Sequence, residues 1–158
     1  MTIPRRMNVR CDSRFGALDV SHIEGSLDGK SGNGRIGITN ASFGLCDARS
    51  SFGAIAAGGL RGDSVTLNSG NGGIRIACSP AGPADLKAQV RSSFGGVDFT
   101  APTRFAGEVN LNANFGTVKT AMPITISREI SRNRVAGTIG DGAGRIRLES
   151  GNGSVELR

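Results

Sequence analysis

The dipeptide Phe-Gly or Asn-Gly returns seven times along this chain in one fixed frame, and that frame constrains the fold more than any single residue. The anchors are Phe15-Gly16, Asn33-Gly34, Phe52-Gly53, Asn71-Gly72, Phe94-Gly95, Phe115-Gly116 and Asn152-Gly153. Two residues before each anchor stands a serine, Ser13, Ser31, Ser50, Ser69, Ser92 and Ser150, with Ala113 as the one exception. Such self-similarity at a fixed period is the mark of a repeat architecture.

The frame extends to both flanks. Six and four residues before the anchors lie pairs such as Leu27/Gly29, Val65/Leu67 and Ile146/Leu148; three and five after lie Ile36/Ile38, Ile74/Ile76 and Val155/Leu157. Both flanks alternate with period two, so each unit predicts a strand, a corner and a second strand with one face buried. Gly16, Gly34, Gly53, Gly72, Gly95, Gly116 and Gly153 are then the structural corners, where positive φ is expected because glycine reaches it without a Cβ clash. No helix is required.

Anchor spacings of 18, 19, 19, 23, 21 and 37 residues predict an all-β, single-stranded, right-handed parallel β-helix with coils of about 19–21 residues, stacked at about 4.8 Å. The last interval reads as a missed beat, with one degenerate coil between Pro123 and Gly144. An antiparallel meander is the rival, since Asn-Gly is a strong hairpin signal, but Phe-Gly is a poor type I′ turn. A double coil of 37 residues, from Phe15 to Phe52, stays open.

With 25 glycines and 4% aromatic residues the chain would make a thin globular core, which a solenoid tolerates because its core is a narrow repeated column. One domain is expected over residues 9–158, with 1–8 a leader or remnant. No apolar run approaches a membrane span and no signal peptide is evident, so membrane insertion is not expected; the location would be the cell envelope or outside if an upstream signal or anchor has been removed. The net charge of +6 is concentrated at the ends, four Arg against one Asp in residues 1–14 and six Arg against four acids in residues 128–158. Nucleic-acid binding is not expected, since Trp and Tyr are absent and the repeat claims the Phe anchors.

Cys11, Cys46 and Cys78 have neither zinc-ligand spacing nor an even count for disulfides. Cys11 and Cys46 fall on inward positions, while Cys78 lies past a strand and is expected to be more exposed. The single histidine, His22, is expected in a loop, and no metal or cofactor is implied. Gly32-Asn-Gly34-Arg-Ile-Gly37 matches the dinucleotide fingerprint literally but precedes a strand where that motif needs a helix. Arg61-Gly62-Asp63, an integrin-type tripeptide, falls between strands. Asn40 and Asn152 open glycosylation sequons.

A site would have to be sought in the outward rows. In-register stacking places Asp28 over Asp47, with Lys30 and Arg49 beside them. Two carboxylates about 5 Å apart have the separation of a retaining glycosidase, and acids beside cations also suit binding of a surface glycan. Asp28, Lys30, Asp47 and Arg49 are therefore the candidate ligand-binding residues; mutual neutralisation along surface ladders is the plainer reading.

The Ser-x-Phe-Gly and Ser-x-Asn-Gly frame, with Ser93-Phe94-Gly95-Gly96-Val97, Gly137-Thr-Ile-Gly140-Asp-Gly142 and Ser150-Gly-Asn152-Gly-Ser-Val155 as its most specific stretches, resembles a bacterial adhesin-labelled family of unknown function. The resemblance runs from about Val9 to the end and implies a β-helix and attachment to a surface. The function expected is a non-enzymatic envelope or surface scaffold with a glycan or protein partner. The alternatives are a polysaccharide-binding or polysaccharide-active β-helix using Asp28 and Asp47, and an intracellular scaffold polymerising end to end. Because strands begin near Val9 and end at Leu157, uncapped ends and salt-promoted end-to-end association are also expected, with Ser127 to Val135 as the one stretch where a cap could be hidden.

Overall fold

The structure, a computed structural model, describes residues 7–158, apart from the side chains of 7 and 126–130. Among them there is no helix; of fifteen strands, thirteen stack into a parallel β-solenoid. The leader expected over 1–8 lies outside the described residues as far as residue 6, while Met7 and Asn8 already belong to the first strand.

Two parallel ladders form the column. The first runs in space through β1 (Met7–Ser13), β3 (Glu24–Ser31), β5 (Ser42–Ser50), the second half of β6 (Ile55–Ser69), β8 (Lys87–Ser92), β14 (Gly144–Ser150) and β10 (Gly107–Ala113). The second runs through β2 (Leu18–Ser21), β4 (Ile36–Thr39), the first half of β6, β7 (Ile74–Cys78), β9 (Val97–Thr100), β15 (Val155–Leu157) and β11 (Val118–Thr120).

Burial alternates along these strands as the period-two pattern requires. In β8, Ala88 and Val90 are buried between exposed Lys87, Gln89 and Arg91; in β14, Ile146 and Leu148 are buried between Arg145, Arg147 and the half-buried Glu149. The inward rows become side-chain columns: Leu27 on Cys46 on Val65 in one ladder, Ile36 on Ile55 on Ile74 on Val97 in the other. Because a rung's core residues touch chiefly the rungs above and below, removing one weakens two interfaces. Leu67 and Leu148, both fully buried, would cost about 2–5 kcal/mol each on truncation to Ala.

The corner glycines are needed for a different reason from the expected one. Positive φ is found at Gly16 but not at Gly34, Gly53, Gly72, Gly95, Gly116 or Gly153. What excludes a side chain is the neighbouring rung. A Cβ on Gly53 would land on the Gly34 carbonyl, one on Gly72 on the Gly53 carbonyl, and one on Gly116 on the Gly153 carbonyl. Left-handed backbone sits instead at the far corner, where His22 (φ 53°), Asn40 (φ 50°) and Gly59 (φ 66°) stack, His22 N–H donating to Thr39 and Asn40 N–H to Gly58.

The serine row supplies the matching polar bonds. Ser69 Oγ accepts from the Gly72 N–H at 3.0 Å and donates to the Gly53 carbonyl one rung away at 3.1 Å; Ser150 does the same with Gly153 and Gly95, both at 2.9 Å. A serine buried beside two otherwise orphaned backbone groups satisfies both, which is why a small hydroxyl recurs there.

The last interval is not a missed beat followed by a terminal coil. After β9 the chain skips one rung, builds β10 and β11, and only then returns, so that β14 and β15 fill the gap between fifth and sixth coils. The crossing is tight: Ala106 N–H donates to Ala84, and its carbonyl accepts from Gly144 N–H. Cβ atoms on Gly107, Gly142 or Gly144 would strike that backbone.

The stretch read as a degenerate coil is an antiparallel hairpin, β12 (Thr125–Ser131) and β13 (Arg134–Ile139), and β13 pairs along the free edge of β10. This end of the first ladder is therefore capped, which overturns the expectation of an open edge at Leu157; Leu157 lies inside the stack, paired with Phe99 and Thr120.

Candidate functional site

Stacking turns the sequence anchors into a ridge along one corner. In spatial order it reads Phe15, Asn33, Phe52, Asn71, Phe94, Asn152, Phe115. In chain order Phe94 and Phe115 follow one another; insertion of the C-terminal coil places Asn152 between them and restores strict alternation. Each Asn is preceded by glycine, Gly32, Gly70 or Gly151, and each Phe by a larger residue, Arg14, Ser51, Ser93 or Asn114. The ridge thus alternates aromatic knobs with low polar notches.

The phenylalanines are not occupied by packing, contrary to the sequence expectation. Phe15, Phe52, Phe94 and Phe115 are 79, 63, 61 and 83% exposed, whereas Phe43, in a Phe-Gly pair outside the frame, is 4% exposed. Successive rings are two rungs apart, about 9.6 Å, and the row extends for roughly 29 Å. Beside it, on the first ladder, Lys30, Arg49, Asn68 and Arg91 follow one another and line a hollow of about 360 Å³ with Ser51 and Ser93.

The acidic candidates come together as register demands. Asp28 pairs with Asp47 across adjacent rungs and Lys30 with Arg49. Each carboxylate is engaged by an arginine: Arg10 lies 3.8 Å from Asp28, and Arg49 grips Asp47 through Nε at 3.2 Å and through its other nitrogen at 3.1 Å. The hydrogen bond to Asp47, and then its charge, holds the Arg49 guanidinium more firmly protonated than usual. Exposed Leu45, displaced by a bulge at Gly44, adjoins the two acids in a small hollow.

A larger groove of about 890 Å³ escaped the sequence reading. Its floor is the outward face of β6, β8 and β14, and its wall is the cap hairpin, bringing Lys87, Gln89, Arg145, Arg147, Glu108 and Thr138 together. Arg145 pairs with Glu108 at 3.4 Å and Arg147 with Glu149. Nothing in local periodicity signals it, because the wall comes from a strand pairing between Leu111 and Val135.

The remaining motifs resolve simply. Cys46 and Cys78 are both buried, and burial, aided at Cys46 by the Asp47 charge, pushes each thiol up to about 12; Cys78 is thus less exposed than expected. Cys11 is half-buried, and His22 is an exposed corner residue. Arg61-Gly62-Asp63 lies within the long strand β6, with Gly62 buried and Arg61 donating to Ser79 Oγ at 3.3 Å, so the tripeptide is not a loop tip. The sequon residues Asn40 and Asn152 are exposed.

Among the described residues no three His, Cys, Asp or Glu side chains converge as a metal centre would require. Among the described residues no helix is long and apolar enough to cross a membrane. No family model, curated protein or solved structure matches this chain.

Proposed function

We propose that this protein is a non-enzymatic interaction scaffold of the cell envelope or surface, an adhesin-like module that presents side-chain ladders on a rigid column. One observation carries the reading: consecutive rungs pair residue for residue, from Arg10 on Asp28 on Asp47 to Thr66 on Gln89, so that outward chemistry repeats at about 4.8 Å intervals over a fixed surface. Such a surface suits an extended, repetitive partner. The resemblance of the Ser-x-Phe-Gly frame to the adhesin-labelled family supports the same reading.

A second reading, a polysaccharide-binding or polysaccharide-active solenoid, is favoured by the direct pairing of Asp28 with Asp47. A glycan array and a cell-wall sedimentation assay, each with wild type and Asp28→Asn/Asp47→Asn, separate the two. The scaffold reading expects retention of glycan or wall by both wild type and the double variant with no shortening of the polymer, whereas retention lost in the double variant without shortening would favour the polysaccharide-binding solenoid. Shortened products that vanish in the double variant would replace it with the enzyme, and failure to bind any glycan or wall would remove it.

A further inference from the structure

We infer that the Phe/Asn ridge is a docking edge for an anionic lipid surface, on which the solenoid lies without spanning it. The rings stand on the corner, and the scaffold test changes only Asp28 and Asp47 and reads glycan or wall, so this inference and the scaffold reading fail separately.

Shape is the first ground. Phe15, Phe52, Phe94 and Phe115 stand exposed on the four-residue corner that joins the two ladders in each coil, and the strand register keeps them in one line. A plane touches all four at once. A second copy meeting the ridge corner to corner would cover only a narrow strip, and a single polymer strand would find no trough along the crest. Four aromatic side chains, each more than 60% exposed and aligned in one row, form an apolar surface feature of the kind that marks an interaction site. Aromatic rings are favoured at the boundary between headgroups and acyl chains, and the Asn and Gly notches leave room for headgroups between them.

Charge is the second ground. On the first-ladder side of the ridge the row between Asp12 and Glu149 holds Lys30, Arg49, Asn68 and Arg91 and no acid, and these line the hollow beside Ser51 and Ser93. Arg49 and Arg91 are shared with Asp47 and Glu149, but Lys30 and the exposed Arg14 and Arg35 make no ion pair among the described residues. With an overall charge of +6, the molecule is drawn toward an anionic surface and held by the rings once there.

The test exploits the absence of tryptophan. Phe52→Trp places one reporter on the crest. Its emission should shift to the blue with vesicles of phosphatidylcholine and phosphatidylglycerol, less with phosphatidylcholine alone, and the shift should weaken as salt rises. Phe52→Asn/Phe94→Asn, which uses the residue already native at three ridge positions, keeps the fold and should lower sedimentation with the mixed vesicles by about tenfold for each ring removed. Lys30→Gln should lower it several-fold. Three results overturn the inference: no shift and no sedimentation with either vesicle, binding to mixed vesicles undiminished in the Phe double variant, or ring-dependent binding of single-stranded oligonucleotide or self-association with no vesicle binding.

Discussion

The Ser150 hydroxyl donates to the Gly95 carbonyl at 2.9 Å, joining two rungs that are neighbours in space but 55 residues apart in the chain. The same bond between Ser69 and Gly53, or Ser92 and Gly72, links consecutive coils. At Ser150 it locks an inserted coil against a coil completed long before. One side chain therefore serves both the repeat and its interruption.

Serine is absent from this row at one rung. Ala113, in the outermost coil, is fully buried and leaves the Gly116 N–H and Gly153 carbonyl without the hydroxyl that bridges the equivalent groups at Ser69 and Ser150. Ala113→Ser should stabilise by about 0.5–1 kcal/mol and Ser150→Ala should destabilise by about 1–2 kcal/mol. Urea unfolding of the two variants checks this, and shifts of the same sign would be inconsistent with the bridging role.

Glycine substitutions distinguish steric exclusion from backbone conformation. Gly53→Asn should cost about 3 kcal/mol, because its Cβ meets the Gly34 carbonyl, backbone of the neighbouring corner that is held by the Ser31 and Ser50 hydroxyls. Gly59→Asn should cost far less: its φ of 66° is one that Asn40 and His22 already adopt on the two preceding rungs, and its Cβ meets the movable end of the Asn40 side chain. Equal thermal shifts would return the corner to a conformational explanation.

The period-two flanks and corner spacing were enough to read the strands, the inward columns and the stacking of Asp28 on Asp47, because each depends on residues within one or two coils. The rung order was hidden. Residues 144–157 carry the same alternation wherever they are placed, and only pairing to both β8 and β10 identifies their slot. The phenylalanine ridge was hidden for a related reason: its Phe/Asn alternation is broken in chain order and appears only once Asn152 lies between Phe94 and Phe115. The hairpin was missed because Val135 and Ile139 alternate like any strand, and direction of pairing leaves no trace in the pattern.

The buried thiols set an alkaline limit. With folded values near 12 against 9.0 for the free group, Cys46 and Cys78 remain protonated in the fold while the unfolded chain ionises. The unfolded state then binds fewer protons, so stability is fully present below about pH 9 and falls as pH rises toward 12. Cys46→Ala/Cys78→Ala should flatten that fall, at the cost of lower stability at neutral pH. A slope unchanged in the double variant would assign the alkaline loss to other groups.

Displacing the cap should turn a closed end into an adhesive one. The free edge of β10 is paired by β13 from Gly107 opposite Ile139 to Asn112 opposite Arg134, and buried Val135 sits across from Leu111. Val135→Asp would place an unpaired carboxylate at that contact, which the hairpin can avoid by lifting away. The uncovered strand would then present a row of unpaired backbone groups, the template for joining another chain edge to edge. Light scattering should show association of Val135→Asp at concentrations where wild type shows none, together with faster amide exchange in residues 107–112. Faster exchange without association would mean that the β10 edge is protected by something other than the hairpin, most directly its own alternating Glu108, Asn110 and Asn112 side chains.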